Sequence, residues 1–96
     1  MSFIKHYTMT AKPGQDTALA TALRALREQI LPLAGCEGVL LLRDTGAPAR
    51  FVFIERWHDA DAHKAGGAAL GKAAFGPVMA ALAEPPDTSS LQLMAG

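Results

Sequence analysis

The side chains able to carry chemistry are few: His6, His58, His63, Tyr7, Trp57, Cys36 and the arginines. An ordinary imidazole titrates near pH ~6.5 and can exchange a proton at neutral pH, so each histidine is a candidate acid or base. His63 follows Trp57 by six residues, on a stretch that reads as a helix beginning just beyond the tryptophan. If that helix packs back over the sheet, imidazole and indole face one cavity; a solvated surface histidine is the competing reading. Trp57 reads either as a core or rim aromatic with its N–H hydrogen-bonded, or as a pocket wall whose N–H meets a ligand. His6, between Ile4 and Thr8, is either a satisfied sheet histidine or a second pocket group. His58 points away from the Trp57 side in an extended chain, toward solvent.

Several chemistries lack the residues they require. His58 and His63 are five residues apart, which does not put both on one helical face, so they make a poor metal pair. Gly66-Gly67 has neither the following lysine nor the strand–turn context of a phosphate loop. Ser2, Ser89 and Ser90 stand apart from any base, so a serine hydrolase is not supported. The single cysteine, Cys36, excludes an intrachain disulfide and a cysteine-cluster metal site; it reads as a small buried residue.

Nine basic and nine acidic residues cancel. No basic stripe marks a nucleic-acid binder; Arg24 and Arg27 come nearest, beside Glu28. No apolar run approaches the ~20 residues of a membrane span, and the opening residues lack the pattern of a secretory signal, so a cytoplasmic location is the expectation. Half of the 96 residues are hydrophobic and 19% are charged, which excludes disorder and fits a single domain over 1–96.

The elements that must hold these residues follow from periodicity. Residues 3–10 read as a strand, with Phe3, Lys5, Tyr7 and Met9 on one face and Ile4, His6, Thr8 and Thr10 on the other. Lys12-Pro13-Gly14 is a turn. Leu19, Ala22, Leu23, Leu26, Ile30 and Leu33 form one helical stripe, capped at Asp16 or Thr17 and closed by Pro32 and Gly35. Residues 36–44 and 50–57 flank a turn at Thr45–Pro48 and read as a hairpin. Their runs Val39–Leu42 and Phe51–Ile54 are apolar on both faces, so the sheet is buried from two sides. One helix layer covers one face, and a second subunit is expected on the other. Asp59 caps a helical stretch to about Ala83, with breaks expected at Gly66-Gly67 and Gly76-Pro77. Phe75, Val78, Met79 and Leu82 face inward there, and Ser90–Met94 reads as a last strand. The order β-α-β-β-α-β is the split, ferredoxin-like α+β motif with an antiparallel sheet.

Lys12-Pro13-Gly14, Gly35-Cys36-Glu37-Gly38, the strand Arg50–Trp57 with its Glu55-Arg56-Trp57, and Ala83-Glu84-Pro85-Pro86 together resemble the antibiotic biosynthesis monooxygenase (ABM) family. The resemblance covers nearly the whole chain, and Glu-Arg-Trp is its most specific part. It implies a dimeric α/β barrel. It also implies monooxygenase chemistry on a quinol, anthrone or similar small aromatic with O₂, and no metal or flavin; haem-degrading members also exist. Trp57 matches the family's tryptophan, and His63 stands where its aromatic-polyketide enzymes have a proton-donating tyrosine. Phe53 stands in place of their pocket asparagine, and Gly66 and Gly67 in place of a histidine found in many relatives, so an axial haem ligand is missing. The resulting expectation is a homodimeric, cofactor-free oxidoreductase. His63 and Trp57 are its catalytic residues, and His6, Tyr7, Phe53, Phe75 and Met79 line its substrate pocket. The competing expectation is a dimeric small-ligand-binding module that has lost catalysis.

Overall fold

The computed structural model describes residues 2–96. Its elements run β1 (Phe3–Thr10), α1 (Asp16–Ile30), β2 (Cys36–Arg43), β3 (Arg50–Trp57), α2 (Ala60–Leu70), a 3₁₀ turn (Lys72–Phe75), α3 (Gly76–Ala81) and β4 (Asp87–Gln92). The four strands form one antiparallel sheet in the order β2-β3-β1-β4, the α+β, ferredoxin-like arrangement read from the sequence.

Strand alternation decides what faces what. Phe51, Phe53, Glu55 and Trp57 of β3 lie opposite Met9, Tyr7, Lys5 and Phe3 of β1, all toward the helices. The apolar stripe of α1 (Leu19, Leu23, Leu26 and Ile30) closes over them, and with Val39, Val78, Ala81 and Leu82 they make one core. Burying an aromatic or large aliphatic side chain this completely is worth about 1.5–3 kcal/mol each, so β3 and α1 dominate the fold's stability. The opposite face carries Ile4, His6, Val52, Ile54, Leu40 and Leu42, with no element over it among the described residues. Leu40 is 59% exposed there.

Helix ends depart from the sequence reading in instructive ways. Asp16 is the first residue of α1, and the preceding Gln15 makes no side-chain cap bond. The Asp16 carboxylate instead sits in the first turn, favourable to the helix dipole, and receives Arg43 at 3.4 Å. α1 ends at Ile30, short of Leu33. α2 runs unbroken through Gly66-Gly67 and stops at Gly71, whose φ of 81° lies in the left-handed region. Pro77 begins α3 as expected, but α3 ends at Ala81 because Leu82 turns extended and bridges Ala11. β4 starts at Asp87 rather than Ser90: directly after Pro85-Pro86 the chain reaches the free side of β1 and pairs from Thr8 back to Phe3.

Asp59 does cap α2, its carboxylate accepting the Ala62 amide at 2.8 Å. Asp59→Ala should therefore cost about 1 kcal/mol in a urea melt, with no change in the slope of the transition. Asp59→Asn should recover most of it.

Candidate functional site

Trp57 ends β3 with its indole against α2, and the contact is made possible by Gly66. A Cβ at position 66 would stand 2.4 Å from Trp57 Cη2 and 2.8 Å from Cζ3. Only a residue without a side chain lets the helix lie on the ring, so no imidazole fits at 66. Trp57 is 1% exposed, and its indole N–H donates to Glu55 Oε1 at 2.9 Å. One turn before Gly66, the same helix presents His63. Its ring lies edge-on to Trp57 (centroids 5.7 Å) and tilted against Phe3 (5.4 Å). The expected meeting of His63 with Trp57 thus occurs, over a carboxylate the sequence reading passed by.

Glu55 is 3% exposed. Among charged side chains it is the one that the β3 alternation drives into the core, in series with Phe51, Phe53 and Trp57. Burial pushes its carboxyl up from the usual range, opposed by the Trp57 N–H and by the charge of Lys5. His63 Nε2 stands 3.9 Å from Glu55 Oε1, beyond hydrogen-bond range. Burial, with the Lys5 charge, lowers the imidazole's pKa and so favours its neutral form. Burial therefore drives both members of the pair toward their uncharged forms, and they do not form a fixed ion pair. Tyr7, in register with Phe53, packs edge-on to that ring at 6.2 Å. Burial and the Glu55 charge raise its phenol far above the ordinary value, so it remains an O–H donor. Lys5, in register with Glu55, donates to Ser90 Oγ at 3.1 Å.

Two small cavities meet here. One, of about 20 Å³, lies among Tyr7, Glu55, Trp57, His63, Gly66 and Phe75. The other, of about 50 Å³, lies among Tyr7, Phe53, Glu55, Phe75, Val78 and Met79. Each holds water-sized contents, not an aromatic ring. Tyr7, Glu55 and Phe75 wall both, and Phe75 belongs to the 3₁₀ turn between Gly71 and Gly76. Movement of that turn would join them.

Six of the seven expected site residues therefore come together: His63, Trp57, Tyr7, Phe53, Phe75 and Met79. His6 does not, because alternation along β1 sends it to the uncovered face, opposite Ile54 and Ser89. Glu55 and Lys5 were missed, although each is a charged residue inside an otherwise apolar or aromatic alternating series. His58 is exposed, as read from the sequence. Burial pushes the Cys36 thiol up, leaving it a poor nucleophile. Among the described residues no three His, Cys, Asp or Glu side chains gather as a metal site. No helix of the described chain is long and apolar enough to cross a membrane.

A larger hollow of about 660 Å³ runs between α1 and β2, past Arg24, Arg27, Leu40, Leu42 and Arg43. It is an open groove. Arg27 is held by the Val39 carbonyl at 2.9 Å and Arg43 by the Pro48 carbonyl at 2.7 Å, and the groove contains no acid–base pair of the kind Glu55 and His63 form.

Sheet and helix layer define a ferredoxin-like α+β protein, with the buried Glu55 carboxylate and the half-buried His63 imidazole between the layers. The chain belongs to the antibiotic biosynthesis monooxygenase family, whose model matches residues 2–65. Among solved structures it is similar to a Pseudomonas aeruginosa protein at 28% identity, covering 98% of this chain and 95% of that one, with a TM-score of 0.84. A Nitrosomonas europaea protein named for the family superposes with a TM-score of 0.88 at 20% identity, covering 97% and 99% of the two chains. A Bordetella bronchiseptica protein of the same name gives 0.83 at 23% identity, with 98% of each chain covered. No curated protein matches the chain.

Proposed function

We propose that the protein is a cofactor-independent monooxygenase that oxidises a small electron-rich aromatic, a quinol or phenolic anthrone, with O₂. The observation that supports this most is the half-buried His63 set against Trp57 and Glu55 beside two small, largely apolar cavities. In such a reaction an anthrone methylene loses a proton, and the carbanion's electrons pass to O₂. The resulting hydroperoxide eliminates water to leave a carbonyl: CH₂ plus O₂ gives C=O plus H₂O. The protein must bind the ring, move the proton and hold the developing oxyanion. In this reading the Tyr7 O–H would donate to that oxyanion. Phe53, Phe75 and Met79 supply the apolar walls, and displacement of Phe75 with its turn admits the ring. The test is O₂ uptake by purified, metal-free protein with dithranol and a panel of quinols, with stoichiometric quinone formation as the expected result. Ligand binding without uptake across the panel overturns it. That outcome would favour a binding module without turnover, a reading to which the small closed cavities and the engaged Trp57 N–H lend support.

The uncovered sheet face supports a homodimer. Ile4, Val52 and Ile54 with the exposed Leu40, Leu42 and Leu91 make an apolar surface of the kind soluble monomers rarely leave bare. A second copy related by a two-fold axis would cover it. Light scattering at micromolar concentration should give about twice the chain mass of 10.1 kDa. Ile54→Glu, at the centre of that face, should give the monomer.

A further inference from the structure

Resting on the monooxygenase reading, we propose that the Glu55 carboxylate is the catalytic base that takes the substrate's carbon-bound proton, and that His63 carries this proton out to solvent. Glu55 is the ionisable carboxylate common to both cavities, which Tyr7 and Phe75 also wall, so a ring occupying the joined space would lie against its carboxylate. One oxygen is occupied, Oε1 accepting the Trp57 indole N–H. That bond holds the carboxylate's orientation and leaves Oε2 for a ligand. His63 is the next group outward: its side chain is 28% exposed against 4% for Glu55, and 3.9 Å separates Nε2 from Oε1. With the carboxylate held by Trp57, a small movement of the more exposed imidazole would close that gap. The groups facing Glu55 are Lys5 and Tyr7 from β1, Cys36 from β2, Trp57 from its own strand and His63 from α2. From α1, Leu26 and Ile30 face the cavities and offer no competing acceptor.

The step balances without any further reactant. The substrate's C–H bond breaks, its electron pair stays on the ring system as the phenolic carbanion, and an O–H bond forms on Glu55. The carboxylic acid then gives its proton to His63 Nε2, and the imidazolium releases a proton to water. Burial strengthens Glu55 as a base; it weakens the imidazole as an acceptor, so a proton that reaches His63 is released readily to water.

Because proton removal precedes oxygen, it is measurable in its absence. Dithranol in D₂O under argon exchanges its C10 hydrogens for deuterium, which is followed by proton NMR. Wild-type protein should accelerate this exchange. Glu55→Gln, which keeps an acceptor for the Trp57 N–H, should lower the acceleration by roughly 10²–10⁴-fold. Glu55→Asp, with its carboxylate drawn back by one methylene, should fall between. Equal exchange by wild type and Glu55→Gln overturns the proposal, as does a wild type that accelerates nothing. Exchange that depends on Glu55 but is followed by no O₂ uptake upholds the proton step and removes the oxygenase. If Glu55→Gln melts below the assay temperature, Glu55→Asp carries the comparison, and wild-type rates in the aspartate variant overturn the assignment.

Discussion

Replacing His63 with alanine is expected to slow oxygen uptake by roughly 10²–10⁴-fold, the range over which a positioned acid–base group contributes. The loss should fall on kcat more than on KM, since the ring meets mainly Tyr7, Phe53, Phe75 and Met79, and a protein without the imidazole still has those walls. The pH profile carries a second check. His63 is held below the ordinary histidine range by burial and by Lys5, so the acid limb of kcat should lie below pH ~6.5. Activity is present above that limb and disappears as acid protonates the imidazole. Lys5→Met removes a positive charge that disfavours the imidazolium and favours the Glu55 carboxylate, so protonation of either group should occur at higher pH and the limb should move upward. A limb that stays in place in Lys5→Met, or a His63→Ala protein with undiminished turnover, would remove His63 from the proton path.

The two adjacent glycines of α2 should respond to alanine in opposite directions. At Gly66 the new methyl meets Trp57 at 2.4 Å, and the indole, buried and hydrogen-bonded, has nowhere to go. Overpacking of this kind costs about 1–3 kcal/mol, and the better helix propensity of alanine returns up to about 1 kcal/mol. Net destabilisation of order 1–2 kcal/mol is expected, a Tm lower by about 4–16 °C in a chain of this size. At Gly67 a Cβ meets nothing within 4 Å, so alanine there should gain the propensity and raise Tm by several degrees. Calorimetry on the pair decides the matter; two increases would mean that Trp57 does not rest on the helix.

Much of the arrangement around Trp57 is legible in the sequence. The series Phe51, Phe53, Trp57 announced the buried face of β3, and the cap at Asp59 announced a helix starting just after it, which together bring His63 to Trp57. The alternation of β1 also separates His6 from Tyr7, so one pocket could not have taken both. Glu55 was harder. A single carboxylate in an apolar alternation is ambiguous until the covering helix is known, and its pairing with Lys5 depends on a β1–β3 register set by distant packing. The glycines misled for a related reason. Gly66 looked like a helix break because propensity is local, whereas its cause is an indole nine residues earlier. The late strand was misplaced because Leu91 and Leu93 alternate convincingly, while hydrogen bonding to the free side of β1 begins as soon as Pro85-Pro86 allows it.

The Arg27 bond to the Val39 carbonyl has a consequence for solubility and misassembly. β2 is an outer strand and carries Val39-Leu40-Leu41-Leu42, a short, uncharged, strand-prone run of the type that recruits foreign strands. A guanidinium seated on one of its carbonyls puts a solvated cation where an incoming backbone would have to pair. Arg27 thereby acts as a gatekeeper for the stickiest segment of the chain. Neutralising it would leave the cavities around Glu55 untouched, and its effect would be felt at high concentration, as a lowered threshold for fibrillar or amorphous aggregation.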